Sequence, residues 1–211
     1  MLRKILTLCS FALFGTAVAA HAGTITDLGS VYTLTYASAG TNLYDVFLTI
    51  DTTGFTGPSS SYLNDVALKI VSQNSDFLTA PTLISGPSGY PTTTQATGIN
   101  GGGNAGCNGP SNGFFCSQYS GAGRGLLVGS VYNFEWSVST ALSDLLTGTN
   151  DASIKALYLS SVGRNNGLTS KEITLDPTPP VPEPSSLALL ASGILGVGGM
   201  MRRRIIAACK A

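Results

Sequence analysis

The stretch 131-VYNFEWSVS-139 alternates without a break: Tyr132, Phe134, Trp136 and Val138 fall on one side, and Asn133, Glu135, Ser137 and Ser139 on the other. A period of two is the repeat of a β-strand, and an apolar set opposed to a polar set means one face buried and one solvated. The same pattern recurs upstream in 31-VYTLTYA-37, with Tyr32, Leu34 and Tyr36 on the apolar side, and in 43-LYDVFLTID-51, with Tyr44, Val46, Leu48 and Ile50. It continues in 65-DVALKIVS-72, with Val66, Leu68 and Ile70. Downstream, 153-SIKALYLSSV-162 and 169-TSKEITL-175 flank Arg164-Asn165-Asn166-Gly167, whose Asn-Gly pair suits the positive φ of a tight hairpin. Only 139-STALSDLL-146 has a spacing that suits a short helix. At least six strands in about 150 residues predict an all-β fold, an antiparallel β-sandwich, with jelly-roll and immunoglobulin-like versions not distinguished.

Charge narrows the partners of this region. Residues 23–181 hold ten acids and five bases, a net charge of −5 that the chain-wide balance of zero hides, because the remaining cations cluster near the two ends. A mildly acidic surface rich in Ser, Thr, Asn and Gly argues against nucleic acid, whose phosphates need clustered cations. It suits a neutral partner such as a polysaccharide. About 159 residues fit one domain that buries roughly 70% of its unfolded surface.

Residues 98–125 break the alternation: ten of 28 are glycine, and Cys107 and Cys116 lie nine positions apart. In an exported chain such an isolated pair predicts a disulfide, worth about 2.5 to 3 kcal/mol for a loop of about ten residues. Zinc is the alternative, but the one histidine, His21, lies far upstream. Gly101, Gly103 and Gly106 satisfy a G-x-G-x-x-G pattern with no helix pattern after it and no acidic ribose partner, which excludes a dinucleotide fingerprint. Phe114, Phe115 and Tyr119 sit among Asn and Ser residues. They are candidates for stacking on a sugar ring; the competing reading is that the two phenylalanines plug the loop into the core.

The ends speak of address. Arg3 and Lys4 precede an apolar run over residues 5–20, and Ala20-His21-Ala22 precedes Gly23, the pattern of a secretory signal peptide cleaved between Ala22 and Gly23 by signal peptidase. Cys9 lies inside the apolar run, too early for a lipoprotein site. At the other end Pro182, Glu183 and Pro184 form a stiff, extended hook. The uncharged run 187–201 follows, then Arg202, Arg203 and Arg204. As a helix the run spans about 22 Å, short of the roughly 30 Å of a bilayer core, so the segment crosses the membrane only by recruiting its flanks, with the arginines on the cytoplasmic side. The expected organisation is a signal peptide (1–22), a sandwich passenger (23–176), a Pro-rich linker (177–186), and a single membrane-spanning sorting segment with a basic tail (187–211), inserted through 187–204.

The Pro-Glu-Pro hook, the apolar segment and the arginine cluster, in that order, resemble the tripartite PEP-CTERM sorting signal of Gram-negative bacteria. The resemblance implies recognition by exosortase, an integral-membrane cysteine protease. It also implies release or relocation of the passenger to the cell surface or extracellular matrix, in bacteria that make exopolysaccharide for biofilms or flocs. The tail 205-IIAACKA-211 runs on past the arginines, further than the usual pattern. The passenger itself, with its Cys-flanked Gly/Asn loop and its strand 132-YNFEWSV-138, resembles a recurring type of short PEP-CTERM passenger, which implies architecture and no activity.

Three function classes follow. The first is a non-catalytic surface or matrix protein that binds exopolysaccharide and needs no cofactor. The second is a Ca²⁺-stabilised adhesion module, which carboxylates and loop carbonyls near Asn150 and Asp151 would have to serve. The third is a glycan hydrolase using a carboxylate pair drawn from Glu135, Asp144, Asp151 and Glu172. With no histidine beyond residue 21, a Ser-His-Asp triad is excluded from the passenger.

Overall fold

Trp136 is completely buried, and the strand that carries it shows why the alternation exists. Every second side chain of Val131–Ser139 must reach a core formed between two sheets. The computed structural model describes residues 20–101, 106–145 and 151–177. Within them lie thirteen strands: β1 (Ala20–Asp27), β2 (Ser30–Gly40), β3 (Leu43–Asp51), β4 (Tyr62–Lys69), β5 (Thr82–Ser85), β6 (Gly98–Asn100), β7 (Gly106–Gly109), β8 (Phe114–Gln118), β9 (Leu126–Leu127), β10 (Val131–Ser139), β11 (Asp151–Leu159), β12 (Asn165–Thr174) and β13 (Asp176–Pro177).

One antiparallel sheet has the order β13-β1-β2-β3-β10-β5, and the other β12-β11-β4-β8 with β9 beside β4. Their inner faces share a single core. Tyr32, Leu34, Val46, Leu48, Ile50, Phe134, Trp136 and Val138 come from the first sheet; Leu63, Val66, Leu68, Phe115, Ile154, Ala156, Tyr158 and Ile173 come from the second. The expected all-β antiparallel sandwich is the observed architecture. Phe134 and Trp136 stack with ring centres 5.5 Å apart, and the Trp136 indole donates across the core to Ser117 Oγ at 3.0 Å.

Burying tyrosines requires partners for their hydroxyls. Tyr32 and Tyr158 meet oxygen to oxygen at 2.7 Å, Tyr32 also reaches Thr169 Oγ1 at 2.8 Å, and Tyr158 donates to Ser30 Oγ at 3.2 Å. This chain ties β2 to β11 and β12 through the interior. Desolvation holds both tyrosine pKa values above their ordinary range.

Two local expectations fail for identifiable reasons. The hairpin between β11 and β12 turns at Val162-Gly163, not at Asn166-Gly167. Gly163 has φ +79° and donates to Ser160 O at 2.8 Å, while the Ser160 amide donates to Arg164 O at 2.7 Å. Tyr158 pairs with Gly167 and Leu159 with Asn165, so Asn166 is the extra residue of a bulge inside β12. The short helix expected over 139–146 does not form in its described part, 139–145. There Thr140 bridges Phe77 and its hydroxyl donates to Asp76 O at 2.7 Å, which commits the segment to closing the end of the sandwich.

Candidate functional site

Three devices hold the described parts of the glycine-rich segment, 98–101 and 106–125. Cys107 and Cys116 form the expected disulfide, with Cα atoms 5.7 Å apart. The hairpin β6–β7 then lies over the outer face of the second sheet and closes a small separate core of Ala67, Ile99, Cys107, Phe114, Cys116, Leu157 and Leu159. The return into β8 is fixed at Gly113, whose φ is +80°; a Cβ there would stand 2.1 Å from Val71 O, and its amide donates to Asn74 Oδ1 at 2.6 Å.

Strand alternation decides the fate of the proposed stacking residues. In β8, Phe114 pairs with Lys69 and Phe115 with Leu68, so the two adjacent rings point to opposite faces. Phe115 enters the central core, 1% exposed, edge-on to Trp136 at 5.5 Å and to Phe77 at 6.1 Å. Phe114 enters the small core beneath the hairpin, 8% exposed, with the Lys155 ammonium 4.5 Å from its ring centre. Neither offers a face to a ligand, which corrects the sugar-stacking expectation for both. Tyr119 is half-buried: its ring covers Gly89, lies edge-on to Tyr90 at 5.7 Å, and its hydroxyl donates to Ala122 O at 3.1 Å.

Under the same hairpin sits Asp65, fully buried, which the sequence reading did not single out. Its Oδ2 has no hydrogen-bond partner, the Cys107 sulfur lies 4.0 Å from Oδ1, and the Gly106 backbone packs close by. Burial pushes its pKa up to about 7, a rise that a hydrogen bond with Gln118 partly opposes.

Of the four carboxylates considered for glycan chemistry, the strand registers bring Asp151 and Glu172 beside each other and place Glu135 on the other sheet. Glu135 lies on the outer face of the first sheet, opposite Phe47 and Ser85. Asp144 accepts from the Tyr36 hydroxyl at 2.8 Å. Asp151 and Glu172 are diagonal neighbours on β11 and β12, and Asp151 accepts from Thr174 Oγ1 at 2.7 Å. Among the described residues no group of three or more His, Cys, Asp or Glu could hold a metal ion.

The first sheet's outer face shows a pattern that strand-by-strand reading missed. Thr24 lies opposite Thr33, Thr33 opposite Thr49, and Thr49 opposite Asn133, a polar row across four strands. Beside it a second row runs Thr35, Phe47, Glu135. Phe47 was visible as the aromatic on the polar side of 43-LYDVFLTID-51; its neighbours came from registers that the sequence alone does not set.

The expected signal cleavage point, Ala22 and Gly23, falls inside β1. Cleavage there would leave Gly23–Asp27 paired with Ser30–Leu34 and would remove the two residues, His21 and Ala22, that pair with β13. The hook Pro182, Glu183 and Pro184, the run 187–201, and Arg202, Arg203 and Arg204 lie outside the described residues. Among the described residues no helix is long and apolar enough to cross a membrane.

The decisive comparison falls on the C-terminus. A family model described as the PEP-CTERM protein-sorting motif matches residues 180–204. The chain carries a PEP-CTERM sorting motif. The motif implies an exosortase partner and an exported, membrane-anchored precursor in a Gram-negative bacterium. No curated protein matches. Among solved structures, a crystal structure of an uncharacterized protein from Nocardia farcinica with an immunoglobulin-like fold is similar at a TM-score of 0.35 and 13% identity, over 72% of this chain and 81% of that one. The PEP-CTERM motif and the stapled sandwich are thus consecutive parts of one chain, the first an address and the second its passenger.

Proposed function

We propose that this protein is delivered to the cell surface or extracellular matrix by exosortase, with its hook as the processing site, and acts there without catalysis, as a binding or structural component associated with exopolysaccharide. The observation that carries this reading is the PEP-CTERM motif at residues 180–204, attached to a disulfide-stapled sandwich. The acidic balance of residues 23–181 supports a neutral or weakly charged partner over a polyanion. The signal peptide is removed first, by signal peptidase after Ala22, and the passenger carries no resident cofactor.

The test uses the exported protein purified from its producer and incubated with that organism's own polysaccharide, with and without Ca²⁺. Co-sedimentation without release of reducing ends is the expected result. Binding only with Ca²⁺ would assign the protein to the adhesion-module class, and release of reducing ends by the pure protein would make it a hydrolase.

A further inference from the structure

We propose that the outer face of the first sheet is a binding platform for a neutral polysaccharide chain, with Phe47 as the stacking ring. The inference rests on the polysaccharide reading above and gives it a site.

Four observations place the platform. First, Phe47 is 39% exposed at mid-strand in β3, an interior strand of the sheet, where alternation would otherwise put a polar residue. Second, its surroundings are mostly polar. Thr35 and Glu135 lie directly across from it, Asp45 and Thr49 are its same-face neighbours along β3, and of the four diagonal positions Thr33, Asn133 and Ser137 are polar and only Ala37 is not. A ring surrounded by hydroxyl, amide and carboxylate groups matches a sugar, which presents C–H bonds to an aromatic face and hydroxyls at its rim. A protein partner would need a wider apolar centre than one ring with the exposed Val131 toward the start of β10. Third, the row Thr24, Thr33, Thr49, Asn133 crosses four strands spaced about 4.8 Å apart, a run of roughly 14 Å along which a polymer can lie. Thr24 and Thr33 meet at 3.2 Å and Thr49 donates to Asn133 Oδ1 at 2.8 Å, so part of the row is held in place before any ligand arrives.

The fourth observation is charge. Residues 23–27 of β1, with β2, β3 and β10, contain no Lys, Arg or His, while Asp45, Asp51 and Glu135 all lie on this face. Carboxylates accept from sugar hydroxyls and repel uronate or sulfate groups. The platform therefore selects neutral glycans over polyanionic ones.

The test is affinity electrophoresis of the exported protein, purified from its producer, in gels containing hydroxyethylcellulose as the neutral probe, alginate as the anionic probe, or the producer's own polysaccharide. Wild type should be retarded by the neutral probe and by the native polymer, and not by alginate. Phe47→Ala and Phe47→Leu should each weaken binding roughly tenfold or more, as loss of an aromatic anchor does. Phe47→Tyr should retain it, Asn133→Ala should weaken it, and Glu172→Gln on the opposite sheet should change nothing. Unaltered binding by Phe47→Ala would refute the platform while leaving the polysaccharide reading intact; no binding of wild type to any polymer would remove both. Retardation in alginate, or in the native polymer but not the neutral one, would refute selection for neutral glycans. A dimer in light scattering that Phe47→Ala dissolves, without glycan binding, would make the face a contact between copies of this chain instead.

Discussion

Among the described carboxyl groups, Asp65 is the one whose behaviour is furthest from its ordinary chemistry. A carboxyl with one unpartnered oxygen, held beneath a disulfide hairpin, keeps its proton to about pH 7 in the folded chain, whereas in the unfolded chain it gives the proton up near 3.9. Between those values the folded state binds the extra proton, so stability falls as pH rises from about 4 to about 7 and is level again above. Asp65→Asn should remove that slope. Chemical denaturation is expected to give similar midpoints for variant and wild type at about pH 4 and a more stable variant at about pH 8; parallel pH profiles would contradict this. A second residue-scale expectation concerns the hydroxyl chain. Tyr158→Phe leaves Tyr32 and Ser30 each short of a buried partner and should cost about 1 to 2 kcal/mol in denaturation. Neither residue was conspicuous in the sequence, where Asp65 opens an ordinary strand pattern. What makes it unusual is the hairpin folded over it, a contact between positions some 40 residues apart.

Among the elements, strands were legible where one face meets the core and the other meets water. Residues 31–37, 43–51 and 131–139 read correctly for that reason. The outcome differed where a tertiary contact outweighed local preference. The Asn-Gly pair at 166–167 was taken into a bulge because the turn formed at Gly163, and 139–145 was drawn into closing the sandwich. In residues 98–125 the disulfide was legible from spacing, but the split of Phe114 and Phe115 between two cores was not, since it depends on the pairing of β8 with β4. The hairpin gives a third prediction. Cys107→Ser together with Cys116→Ser should lower stability by about 2.5 to 3 kcal/mol, with the loss of hydrogen-exchange protection concentrated in β6, β7 and β8. The N-terminal cut gives a fourth. A product beginning at Gly23 lacks the residues that pair with Asp176 and Pro177, so the Asp176 amide, the one N–H that β13 carries, should exchange faster in it than in uncleaved precursor.

At the scale of the whole molecule, sequence and structure answer different questions. The address was readable directly, because a hook, an apolar run and three arginines act through local chemistry in a short contiguous segment. The face proposed for binding was not, because its rows are assembled from four strands whose registers only the fold sets. Processing at both ends, as proposed, leaves an oxidised sandwich outside the cell, and the decisive measurement is the intact mass of the protein recovered from the producer's surface and matrix. The expected species begins at Gly23, ends at or near the Pro182-Glu183-Pro184 hook, lacks Arg202, Arg203 and Arg204, and is two hydrogens lighter than its reduced form owing to the Cys107–Cys116 bond. Exported protein that in every molecule retains the three arginines, or keeps both thiols reduced, would contradict it.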